Sequence, residues 1–275
     1  MDSPRVPTEL SELIIDRVRD SALPWWGRLK FVFGTQSYRL GTADHVGRDL
    51  HTLRACALTC SAWLPRARVN LYHTVVFDDP HDVELFVRAI QVADSSSTRH
   101  CLADLVRELV VEFAGGYIPF AQGTLLRKLR SLRTVVFPLL RVDSHSAGWH
   151  YPSPRHHVLV AQFNSLTELV FDLNLGDYRM VVYAFRVVWA VRGLERLTLM
   201  FSGHPPAFTN AQVQPLRALQ RPWSCSKLKT LAATGPFLQK AMDVLHPRPF
   251  GTAVERVAIY LDSPISRQCV DGRGY

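Results

Sequence analysis

The chain has 275 residues, 47% hydrophobic and 20% charged, which excludes a disordered or low-complexity chain and supplies a sizeable core. Its 32 basic residues against 24 acidic ones give a net charge of +8. The arginines are scattered, with no run of five or more basic residues. The charge therefore reads first as a solvated basic surface, with nucleic-acid binding the minor reading, suggested by charge alone.

The first predicted element is a helix over residues 6–20. Pro7 suits its first turn, where a missing N–H costs nothing. Thr8 or Ser11 can cap it, and Leu10, Leu13, Ile14 and Val18 are expected to share its apolar face. Residues 21–48 follow as an insert with clustered aromatics, among them Trp25, Trp26, Phe31 and Phe33, and no clear period. It reads either as a long surface loop or as translated sequence retained from an unspliced intron; exposed aromatics favour the second. A second helix is expected over 49–63, with Leu53, Cys56, Cys60 and Trp63 forming its stripe.

Periodicity alone makes these two packed amphipathic helices. Their residues resemble the F-box, a short helical module that opens Leu-Pro-x-Glu-Leu, continues with Ile four positions later and closes on Cys-x-x-Trp. Val6 replaces the first Leu; Pro7, Glu9, Leu10, Ile14, Cys60 and Trp63 match. The run from Leu53 to Arg68, with Leu71 and Tyr72 after it, is similar to F-box proteins abundant in mushroom-forming fungi, which commonly carry degenerate leucine-rich repeats behind the module. The insert is the main departure, since the two halves of an F-box are normally joined by a short loop.

From about residue 69 onward a unit recurs with apolar residues three, three, two and two apart. Complete copies are Ala103, Val106, Leu109, Val111, Phe113; Phe163, Leu166, Leu169, Phe171, Leu173; and Val191, Leu194, Leu197, Leu199, Phe201. Spacing of three marks a turn or helix end, and spacing of two marks a strand. The aligned third positions are Val75, Leu109, Val135, Leu169, Leu197, Leu231 and Val257, separated by 26 to 34 residues, as in an extended leucine-rich repeat. Segments 82–92, 124–132, 178–191, 211–219 and 236–245 read as half-buried helices, with Asp177 and Asn210 as candidate caps. Strand and helix in alternation imply parallel strands with helices on one side, and the fixed junction register favours a solenoid over a doubly wound sheet. The usual repeat asparagine, which satisfies backbone groups in the turn after the strand, appears once, as Asn174; the other copies lack it, so the repeats are degenerate. The last strand is followed by 14 residues without an amphipathic helix, so a frayed end, or a chain shortened relative to its relatives, is expected.

Chemical motifs are sparse. Cys56 and Cys60 lie one helical turn apart near His51 and His73, but tetrahedral zinc needs four converging ligands, and cysteine more often serves as a small buried hydrophobe. His156 and His157 fall in a Pro/Ser/His-rich stretch read as a solvated loop. No nucleophile elbow, dinucleotide fingerprint or Walker loop is present. Phe77, Phe113, Phe137, Phe171 and Phe201 read as core by periodicity. No enzyme, metal or cofactor is expected. Five sparse cysteines argue for a reducing compartment, and the most apolar run, 180–191, is shorter than the roughly 20 residues that span a bilayer. The expected place is the cytoplasm and/or nucleus.

The reading is an α/β chain: a helical F-box-like module over 1–72, with the insert 21–48, then an irregular leucine-rich-repeat-like domain over 73–275. The resemblance implies a substrate-receptor subunit of a Skp–cullin–F-box ubiquitin ligase. It implies docking on a Skp-type adaptor and cullin core through Pro7, Leu10, Ile14, Leu53, Cys60 and Trp63, with the repeats binding a protein target. The alternative is a repeat-based interaction module outside any ligase.

Overall fold

The computed structural model describes residues 7–22, 44–77, 80–95, 102–111, 125, 128–140, 162–174, 178–202, 214, 225–234 and 250–260. Among the described residues three helices come first: α1 (Thr8–Ala22), α2 (Asp44–Thr59) and α3 (Leu64–His73). The two outer helices of the supposed insert region extend into it from both sides, to Ala22 and from Asp44, which narrows the unassigned stretch to 23–43. The second predicted helix does not reach Trp63. It stops at Thr59, whose hydroxyl donates back to the Ala55 carbonyl at 2.9 Å. The Cys60 carbonyl then accepts the Trp63 and Leu64 N–H groups at 3.2 and 3.3 Å. That turn launches α3, with proline in its first turn.

Ile15, Leu53, Cys56 and Ala67 form the buried heart of the three helices, with Val18, Leu50, Ala57, Trp63 and Leu71 packed around them. Leu10, Leu13 and Ile14 share one face of α1, while Val18 packs against the module core. Ser11 and Ile15 are buried, whereas Leu10, Leu13 and Ile14 point outward. One residue step on a helix is a rotation of about 100°, and Asp16 fixes which rotation is taken. Its carboxylate receives Arg66 Nε at 2.7 Å, Arg66 Nη2, and Asn70 Nδ2 at 2.8 Å, so this side of α1 is held against α3.

α3 runs directly into β1 (Thr74–Phe77), followed by α4 (Pro80–Ser95), a 3-10 turn (Leu102–Leu105), β2 (Glu108–Val111), β3 (Thr134–Leu140), β4 (Glu168–Asn174), α5 (Tyr178–Ala190), β5 (Arg196–Ser202), β6 (Thr230–Thr234) and β7 (Arg256–Tyr260). The strand sequences are rich in Val, Leu, Thr and Phe, which suit a pleated, half-buried surface. The seven strands of the described residues pair in parallel in one sheet, in chain order from β1 to β7. Among the described residues the strand order never reverses, unlike the order in a doubly wound sheet.

Val75, Leu109, Val135, Leu169, Leu197, Leu231 and Val257 pair neighbour to neighbour as one row across the sheet. This row and the one two residues on face a single large core, to which α4 contributes Val83, Val87 and Ile90, and α5 contributes Val181, Ala184, Phe185, Val187 and Val188. Phe77, Phe137 and Phe171 are fully buried there, and Phe137 stacks on Phe171 at 4.9 Å between centroids. Phe113 and the side chain of Phe201 lie outside the described residues. The opposite face carries a separate valine cluster, Val76, Val110, Val136 and Val170.

Each turn closes on the next by main-chain bonds. The carbonyls of His73, Arg107, Arg133, Thr167, Glu195 and Lys229 accept N–H groups from the turn that follows, at 2.8 to 3.1 Å. The spacing of three before each strand is a tight turn: Val106, Leu132, Leu166, Leu194 and Leu228 each donate to the carbonyl three residues earlier. Asn174 is the last residue of β4 and pairs with Ser202; the turn after it lies outside the described residues. Of the predicted helices, 82–92 and 178–191 are α4 and α5; in 124–132 Leu125 and Lys128 are helical, but Arg130 and Ser131 form a turn; 211–219 and 236–245, the caps Asp177 and Asn210, and His156–His157 fall outside the described residues, save Gln214.

Candidate functional site

The helical module is where the sequence places its candidate docking residues. α1 starts at Pro7, whose carbonyl accepts the N–H groups of Leu10 and Ser11, both at 3.1 Å, and the Ser11 hydroxyl at 3.3 Å. With that turn pinned and Ile15 buried, Leu10, Leu13 and Ile14 project on the free side, 51%, 54% and 50% exposed. Three large apolar side chains at i, i+3 and i+4 on one helix form a contiguous stripe. A stripe of this kind is the kind of surface that binds another protein, since isolated exposed apolar residues are common and contiguous ones are not.

The six candidates do not form one surface. Pro7, Leu10 and Ile14 are exposed on α1, and Cys60 is exposed in the turn before α3. Trp63 is half-buried against the module core. Leu53 is 1% exposed and holds α2 to its neighbours, so it presents nothing to a partner: its place in the stripe is a packing role. Cys56 is buried beside it, as a small hydrophobe.

Sequence reasoning missed the polar clamp that orients the stripe. Arg66 and Asn70 reach across 50 and 54 residues to Asp16, and Asn70 is buried. The hydrogen bond to Asp16 and the nearby Asp16 and Glu12 charges raise the Arg66 pKa against a smaller opposing effect of burial. A bidentate arginine–carboxylate pair fixes geometry as well as charge. Sequence also gave no reason to single out Leu58, which is 86% exposed near the end of α2. A leucine outside the buried period of its own helix is the signal that would have found it.

The sheet offers a second surface, on the face opposite the helices. There Thr74, Glu108, Thr134, Glu168, Arg196, Thr230 and Arg256 share one row of the register. Glu168 accepts from the Thr134 hydroxyl at 3.1 Å and from Arg196 Nη2 at 2.9 Å. The bond to Glu168 raises the Arg196 pKa. Toward β2 the row is closed, with Glu108 buried; toward β5 and β7 it opens, with Arg196 and Arg256 exposed. Among the described residues, no group of three or more His, Cys, Asp and Glu could hold a metal ion, and no helix is long and apolar enough to cross a membrane.

No protein-family model, no curated protein and no solved structure matches this chain.

Proposed function

We propose that the chain is the substrate-receptor subunit of a Skp–cullin–F-box ubiquitin ligase. In this reading the three helices are an F-box that docks on a Skp-type adaptor, and the sheet with its helices is a degenerate leucine-rich-repeat solenoid that holds a protein target. The observation that carries it is the stripe of Leu10, Leu13 and Ile14, half-exposed on a helix whose own packing uses Ile15 instead. It coincides with the part of the sequence that resembles the F-box opening. The unreversed order of seven parallel strands supports the repeat half. The receptor performs no bond chemistry and uses no cofactor; it raises the concentration of target lysines near a ubiquitin-charged enzyme, as any tether does. Such a subunit works in the cytoplasm and/or nucleus.

The test is co-purification with a recombinant Skp-type adaptor, comparing wild type with the Leu10→Glu, Ile14→Glu double variant. Both side chains are half exposed, so the variant is expected to fold while losing the adaptor, because burying charge against an apolar partner is strongly unfavourable. A third arm deletes residues 23–43: association only after deletion assigns the loss to that stretch. No association in any arm removes the ligase reading and leaves a repeat-based interaction module.

A further inference from the structure

The row of the sheet that faces away from the core alternates donors and acids. Thr74, Thr134 and Arg196 stand on β1, β3 and β5, and Glu108 and Glu168 stand on β2 and β4. Each acid therefore has a donor residue on both sides. Glu108 accepts from the Thr74 hydroxyl at 3.0 Å, and Glu168 accepts from Thr134 at 3.1 Å and from Arg196 Nη2 at 2.9 Å. At β6 the alternation breaks. The residue there is Thr230, and the donors on its two sides are both arginines, Arg196 and Arg256. Two cations and a hydroxyl thus surround a position that lacks the carboxylate found at β2 and β4.

We infer, on the reading that the sheet holds a protein target, that Arg196, Thr230 and Arg256 form a carboxylate site for an aspartate or glutamate side chain of that target.

Reach comes first. Neighbouring strands lie about 4.8 Å apart, so the two arginines start about 9.6 Å from each other with Thr230 midway. Arginine side chains are long enough to close over one carboxylate in that span, and the guanidinium fork matches its two oxygens.

The donors are also available. Arg256 is exposed, and neither its guanidinium nor the Thr230 hydroxyl has a hydrogen-bond partner among the described residues. Arg196 is half exposed and gives Nη2 to Glu168, which leaves Nε and Nη1 among its donors. Glu195 and Glu255 adjoin the two arginines in sequence, and alternation along the strand turns them off this row.

Charge selects the occupant. In this row β1 to β4 carry two acids and no base, whereas β5 to β7 carry two bases and no acid. Such a local excess attracts an anion and penalises a cation. A carboxylate is the anion the row already holds between donors, at Glu108 and again at Glu168.

The first test needs no target. Thr230→Glu supplies the carboxylate from the chain itself. Glutamate suits a strand less well than threonine, so without the two arginines it would lower stability. Here it is expected to raise the urea midpoint, and to lose that gain when combined with Arg256→Gln or in about 1 M salt. The second test titrates the full chain, to about 1 mM, into a dye-labelled peptide of alternating glutamate and serine, followed by fluorescence anisotropy. Binding is expected to weaken about tenfold in Arg256→Gln and to vanish in Thr230→Glu, whose own carboxylate fills the site. Lys227→Gln removes an equal charge from the exposed turn before β6 and is expected to change little. A midpoint lowered by Thr230→Glu overturns the site. So does wild type that leaves the glutamate peptide unbound, including one that binds only a phosphoserine version, and so does equal weakening by Lys227→Gln and Arg256→Gln. Adaptor co-purification on the same proteins separates this site from the ligase reading. Peptide binding without adaptor keeps the site and removes the ligase; adaptor without peptide binding removes the site and keeps the ligase.

Discussion

Thr134 donates its hydroxyl hydrogen to Glu168 Oε2 at 3.1 Å, across 34 residues of sequence. Thr74 does the same to Glu108 Oε2 at 3.0 Å, again across 34. The same side-chain bond twice at the same separation follows from the register, which sets both threonines and both glutamates in one row. Glu108 is 4% exposed, and a carboxylate so buried is costly unless it is hydrogen-bonded. Each threonine therefore acts as a fixed donor to the strand that follows it.

Replacing Thr134 by valine keeps the β-branched shape and removes the donor, and is expected to cost about 1 kcal/mol in urea unfolding. Thr230 stands in the same row between Arg196 and Arg256, with no carboxylate in register on either side. Thr230→Val is expected to be close to neutral. Equal costs at the two sites would show that strand propensity, not the hydrogen bond, sets the difference.

Within α1 the buried and exposed apolar residues separate folding from docking. Ile15→Ala empties a fully buried site and is expected to cost about 2–4 kcal/mol. Leu10→Ala and Ile14→Ala remove half-exposed side chains and are expected to cost less than about 1 kcal/mol each. Thermal unfolding followed by circular dichroism measures all three. A large loss from Leu10→Ala would make it a core residue and remove the stripe as a free surface.

The clamp on α1 has its own signature. Asp16→Ala leaves the Arg66 guanidinium and the buried Asn70 amide without the acceptor they share. Arg66 is partly exposed and can turn to water, whereas Asn70 is buried, so the expected loss is about 1–3 kcal/mol. The double variant Asp16→Ala, Asn70→Ala is then expected to cost less than the sum of the two single variants. Full additivity in that cycle would show that the two residues do not depend on each other.

The sheet was legible because its information is periodic. The seven aligned positions from Val75 to Val257 are the paired row of the register, since spacing of two along a strand and a fixed turn before it leave few other ways to bury leucine and valine together. The helical module was legible in its elements; the outward place of Leu10 and Ile14 was expected from the resemblance and not from the hydrophobic pattern. Leu10, Leu13 and Ile14 make a more apolar stripe than Ser11, Ile15 and Val18, and a hydrophobic pattern read alone buries the wrong one. What decides is a polar clamp between residues 50 and 54 positions apart, which no local window contains. Leu53 and Trp63 show the same limit: a docking role and a packing role call for the same residue types, and only burial distinguishes them.

Cys225 gives the chain a pH dependence of known sign. It lies in the turn before β6, where its carbonyl accepts the Leu228 N–H at 3.1 Å, with a left-handed φ of 59° and 4% exposure. Burial disfavours the thiolate and pushes the thiol pKa up from 9.0 to about 12. Between those values the unfolded chain has released this proton and the folded chain retains it, so the unfolded state binds fewer protons and stability falls as pH rises. Below the unfolded value both states keep the proton and the group contributes no slope. The slope from one such group is at most about 1.4 kcal/mol per pH unit. Cys225→Ala removes the thiol and this slope with it. Its stability deficit relative to wild type is therefore expected to shrink from pH 9 upward, which urea midpoints at pH 8, 9 and 10 measure directly. Parallel pH curves for the two proteins would mean that the folded thiol ionises as readily as the unfolded one, and that Cys225 is not sealed in the core. A thiol reagent at pH 8 checks the same point by rate, labelling the exposed Cys60 at once and Cys225 only as fast as the β6 turn opens.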